Sequence, residues 1–93
     1  MTSSGRRYAE LQRALKNGNL WVAEAAAREM PKVPLEDALR LVLLYAAKES
    51  EKFERAAMRW LERYLAEATP TLRNFAKAAR DLAQLRDGAE GRD

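Results

Sequence analysis

Apolar residues recur along this chain with the period of a helix rather than that of a strand. Across 6–16, Tyr8, Leu11 and Leu15, with Ala14, fall three or four apart. That spacing puts them on one helical face. Asn17-Gly18 follows, and both residues tolerate the left-handed conformation in which helices end. Asn19 is a good cap for a second helix over 20–30. There Leu20, Ala23, Ala27 and Met30 share one face, and Trp21 and Ala25 lie on another. The run Ala25-Ala26-Ala27 has no bulk, so a neighbouring helix can come close. Pro31 stops the pattern, and Pro31-Lys-Val-Pro34 reads as a short stiff connector.

The next stretch, 34–48, has a different pattern. Pro34 suits the first position of a helix, where its missing N–H costs nothing. Glu36 and Asp37 fall in the first turn, near the positive end of the helix dipole. From Ala38 to Ala47 every position but Arg40 is apolar. Leu39, Val42, Leu43 and Ala46 form one stripe, while Leu41, Leu44 and Tyr45 cover much of the rest. A helix apolar nearly all round is expected at the centre of a bundle, or covered by another chain. The run is well short of the roughly 20 residues a membrane span needs.

A fourth helix is predicted over 51–68, capped by Ser50. Its buried face is Phe53, Ala57, Trp60, Leu61, Tyr64, Leu65 and Ala68. Thr69 as cap and Pro70 as first residue predict a fifth helix over 70–86. Leu72, Phe75, Ala76, Ala79, Leu82 and Ala83 form its apolar face. Residues 1–5 and 87–93 are polar and are expected to be a disordered leader and tail. The expectation is one all-α domain over 6–86, a compact bundle of five short helices around the apolar third.

Composition sharpens this picture. The chain has 18 Ala, 13 Leu and no Ile among its 93 residues, a balance that favours helix over sheet. It contains no Cys and no His, which removes thiol chemistry, the commonest general base and the commonest transition-metal ligands. Adjacent acids such as Glu36-Asp37 point apart on a helix and make no paired acid–base site. No Gly-rich phosphate loop or nucleophile elbow is present. The chain is therefore expected not to be an enzyme and to use no cofactor and no metal. With no apolar leader to direct export, a cytoplasmic location is expected.

Two candidate surfaces remain. Leu20-Trp21-Val22 places three bulky apolar residues in a row, and a helix cannot bury all three against one neighbour. Trp21 and Val22, with Leu41, Leu44 and Tyr45 on the third helix, are the candidate protein interface, for a protein partner or a second copy of the chain. The alternative is a nucleic-acid-binding or mobile-element regulatory protein that uses a basic face on the fourth and fifth helices. Lys52, Arg55, Arg59 and Arg63 line one side of the fourth helix, and Arg73, Lys77 and Arg80 one side of the fifth. Such stripes can track a phosphate backbone if they adjoin. The formal net charge is only +3, however, and Glu51, Glu62 and Glu67 interleave with the arginines at helical spacing. Those acids make a solvated face the simpler reading. No membrane and no small-molecule substrate is expected.

The stretch 19–65 carries Leu-Trp-Val-Ala-Glu-Ala-Ala-Ala-Arg-Glu-Met, Val-Pro-Leu-Glu-Asp-Ala-Leu-Arg-Leu-Val-Leu-Leu and Phe-Glu-Arg-Ala-Ala-Met-Arg-Trp-Leu. It resembles a class of small, uncharacterised Ala/Arg-rich helical proteins of GC-rich bacteria. The resemblance implies an all-helical fold and brings no functional residue with it.

Overall fold

A computed structural model describes the backbone of residues 3–90 and the side chains of residues 5–86. Among these the chain is all-α, with α1 (Ser3–Asn17), α2 (Leu20–Arg28), α3 (Leu35–Ala47), α4 (Phe53–Ala68) and α5 (Leu72–Glu90) and no strand. α1 thus starts within the expected leader, and α5 continues four residues past its expected end. Residues 1–2 of the leader and 91–93 of the tail lie outside the described residues. The chain forms two compact units, Met1–Leu44 and Tyr45–Asp93.

In the first unit the corner between α1 and α2 is a Schellman motif. Gly18, at φ +69°, donates its N–H to the Leu15 carbonyl (3.2 Å), and the Asn19 N–H reaches the Ala14 carbonyl (2.9 Å). Asn19 also opens α2, since its side chain accepts from the Val22 N–H at 3.2 Å. A single residue therefore closes one helix and caps the next. α2 ends at Arg28, two residues before its expected end, because Glu29 and Met30 bond back only three residues, as Pro31 approaches.

The core of this unit is made of small residues. Leu11 is fully buried, with Ala14, Ala23 and Ala26 around it. Leu15, Met30, Val33, Leu41 and Leu44 pack against that cluster, which brings α3 onto the first two helices. Polar ties surround it. Arg40 donates to Gln12 Oε1 (2.8 Å) and to Asp37 Oδ1 (3.3 Å), and Asp37 is itself buried. The Arg40 donor fixes the orientation of the Gln12 amide, leaving Gln12 Nε2 buried with no acceptor among the described residues. Arg7 pairs with Glu29 at 2.6 Å, but Arg7 is only partly buried and Glu29 is exposed, so the pair contributes little stability.

Helix starts depart from expectation at three places. Pro34 is the cap of α3 and not its first residue, with its carbonyl accepting from Ala38 (2.9 Å). Ser50 does accept a backbone N–H, from Lys52 at 3.1 Å, but α4 starts two residues later than expected, at Phe53. Thr69 is not the cap of α5. It ends α4 in the left-handed region (φ 42°), and Thr71 caps α5 by accepting from the Asn74 N–H at 3.1 Å. Proline disfavours helical geometry in the residue before it, so Thr69 is free to turn the chain and Thr71 takes over the cap.

In the second unit α4 and α5 form an antiparallel hairpin. Tyr64 stacks on Phe75 near the turn (centroids 6.2 Å apart) and on Trp60 of its own helix (4.9 Å). At the far end Arg86 pairs with Glu54 at 2.6 Å. Phe53, Ala57, Trp60, Leu61 and Leu82 are buried. Ahead of α4, Glu49 repeats the Schellman geometry of Gly18. At φ 53° its N–H meets the Ala46 carbonyl (3.0 Å), and the Ser50 N–H meets the Tyr45 carbonyl (3.0 Å).

Candidate protein-interaction surface

The structure separates the five residues of the expected interface. Trp21 stands in the first turn of α2 with 81% of its surface exposed, and Val22 beside it is also exposed. α2 must turn Ala23 and Ala26 inward to meet α1, and that rotation puts Trp21 outside. Leu41 and Leu44 are turned inward against the core of the first unit. Tyr45 is only 8% exposed and offers nothing to a partner. A helix apolar on every side gives no signal of which side its own chain will cover, and here the covered residues are Val42 and Tyr45 while Leu43 is half-exposed.

The basic residues are nearly all at the surface. Lys52, Arg55, Arg59, Arg73, Lys77 and Arg80 are exposed, and Arg63 is half-buried. Several positive charges are already matched. Arg63 grips Glu67 with two bonds of 2.8 and 3.3 Å, and Lys77 meets Asp81 at 2.9 Å. Helical spacing puts Arg55, Arg59 and Arg63 on the side of α4 opposite Phe53, Ala57 and Leu61. Likewise Arg73, Lys77 and Arg80 lie away from Phe75 and Leu82 on α5. Each stripe faces away from the seam between the helices, so the two do not merge into one face.

A feature absent from the expected sites lies between α4 and α5. An open groove of ≈ 370 Å³ runs along the hairpin. Buried Phe53, Ala57, Leu61 and Leu82 form its floor, Met58 one wall and Ala79 and Ala83 the other. The Glu54–Arg86 pair closes one end. Beyond the groove, Leu65 is 53% and Leu72 84% exposed. Both were expected on buried faces. Leu65 sits one turn from Leu61 and Leu72 two turns from Ala79, on a side of the helices that the hairpin contact does not reach. The sequence signal was there as a second set of apolar positions beside the first.

Among the described residues no group of three or more His, Cys, Asp or Glu could hold a metal ion, and no helix is long and apolar enough to cross a membrane. Comparison with protein-family models, with curated proteins and with solved structures gives no match in any of the three.

Proposed function

We propose that this protein is a non-catalytic interaction module, a small scaffold or adaptor that presents apolar helix surface to another protein. One observation carries the reading: large apolar side chains stand in water in both units although each already has a buried core. Trp21 is the extreme case in the first unit, and Met58, Leu65 and Leu72 are its counterparts in the second. Single exposed apolar residues are ordinary, but a Trp in the open and a lined groove beside further bulky groups mark contact surfaces. Nucleic acid is the weaker reading, since the basic stripes are interrupted by ion pairs and divided by the hairpin seam.

The test compares the wild-type chain with Trp21→Ser and Leu72→Ser in capture of partners from its own cells, alongside gel shifts with duplex and single-stranded DNA over a salt series. A specific protein lost with either variant is the expected result. Counterion release makes phosphate binding fall steeply with salt, whereas apolar contact barely responds. Salt-steep DNA binding, with protein capture indifferent to both variants, would overturn the proposal.

A further inference from the structure

We infer that the grooved α4/α5 face is covered by the same face of a second copy, with each α4 lying against the partner's α5. This rests on the interaction-module reading and names the partner.

The first ground is periodicity. On α4, Phe53, Ala57, Trp60 and Tyr64 form one apolar row, which is buried at its first three positions and reaches Phe75 of α5 through Tyr64. A second row, Met58, Leu61, Leu65 and Ala68, follows the same alternation of three and four residues along its flank. On α5 the matching second row is Leu72, Ala76, Ala79 and Ala83. Helices with two neighbouring seams of this spacing sit in bundles with two neighbours each. Here one seam is used within the hairpin and the other borders the open groove.

Size complementarity then selects the occupant. The free seam of α4 is mostly bulky and that of α5 mostly alanine. Large against small is how facing layers interdigitate. If α4 lay against the partner's α4, Met58 and Leu65 would meet their equals, and the alanines of α5 would face alanines across a gap. With α4 on the partner's α5, every layer pairs a large residue with a small one. The contacts Glu54–Arg86 and Tyr64–Phe75 set the levels of the hairpin. A two-fold axis parallel to the helices carries those levels across. Met58 then meets the partner's Ala83, Leu65 the partner's Ala76, and Ala68 the partner's Leu72, while Leu61, already buried on the groove floor, backs these layers. Even the last layer, where the order of large and small reverses, remains complementary.

Charge gives an independent ground for the same arrangement. Glu62 flanks the free seam of α4, and Arg73 and Arg80 flank that of α5, all three exposed. Only α4 against the partner's α5 brings acid to base on both sides of the dyad. The alternative sets Glu62 near its own copy. An isologous contact needs a self-complementary surface, and this one is self-complementary in both volume and charge.

The experiment is sedimentation equilibrium of the full chain over roughly 1–100 µM, with variants at exposed positions that leave the fold intact by circular dichroism. Wild type should dimerise within that range. Leu65→Lys should weaken the dimer at least ~100-fold, and Glu62→Arg about 10-fold, with Arg80→Glu in the same chain restoring most of the loss. Because the chain has no Cys, register is also readable. A mixture of Met58→Cys and Ala83→Cys chains should form disulfide-linked dimers faster than either alone. A wild-type chain still monomeric at about 100 µM would overturn the inference, as would a dimer strengthened by Glu62→Arg. A monomer that still captures a different protein through Leu65 sinks only the second copy. A monomer that captures nothing takes the interaction module with it.

Discussion

In the first unit α1 and α2 meet across Ala14, Ala23 and Ala26, whereas in the second α4 and α5 are spaced by Phe53, Trp60, Tyr64 and Phe75. α1 and α2 run close together along much of their length, and α4 and α5 approach at fewer points. Small side chains let backbones come near and leave no room to spare. Large ones fill the middle of a seam but hold the helices apart, so a groove opens along one flank. The amount of free surface a helical hairpin keeps is thus set by residue volume as much as by hydrophobicity. That makes the first unit a sealed contact and the second an open one.

Mutations can break this contrast in turn. The largest effect belongs to Leu11→Ala, which empties the centre of the sealed contact and should cost about 2–5 kcal/mol in urea unfolding. A loss under about 1 kcal/mol would mean that the cluster is not a core. Next comes growth instead of shrinkage. Ala23→Leu forces three extra carbons into a place with no exposed surface and should cost about 1–3 kcal/mol. If it is tolerated, α1 and α2 are looser than described.

The helix ends offer a sharper pair. Gly18 and Glu49 hold the same left-handed position in the same motif, one in each unit. A Cβ at Gly18 would meet nothing within 4 Å, so Gly18→Ala measures backbone strain alone, about 1 kcal/mol of destabilisation. Glu49→Gly should do the reverse and raise the thermal midpoint, by something under about 1 kcal/mol in free energy. The signs must be opposite; like signs would remove the equivalence of the two corners. Smallest of all is Met58→Ala. The residue is 61% exposed, so the monomer's stability at low protein concentration should change by less than about 0.5 kcal/mol. A larger loss would show the groove wall to be part of the core.

Much of this was legible in the chain, and the misses have physical causes. Helix existence followed from apolar spacing, and the Gly18-Asn19 corner from two residues with one known use each. The exposure of Trp21 followed from three bulky residues in a row. The start of α5 was misread because Thr69-Pro70 and Thr71-Leu72 both look like openings, and only the turn geometry chooses between them. Tyr45 was misplaced because a uniformly apolar helix has no polar side to orient it. The groove was missed because Leu65, Leu72 and the α5 alanines count as core residues in one dimension. Only the packed hairpin shows that they belong to a second seam.

The chain's two tryptophans differ as much as its two helix contacts do. Trp21 is bare and Trp60 is stacked and shielded, and each belongs to a different unit. Light emitted at the red edge, and readily quenched by acrylamide, therefore comes from the first half. The blue, protected component comes from the second. A fluorimeter can therefore follow the melting of the second half through Trp60 with no label added, while Trp21, already in water, supplies a nearly constant background.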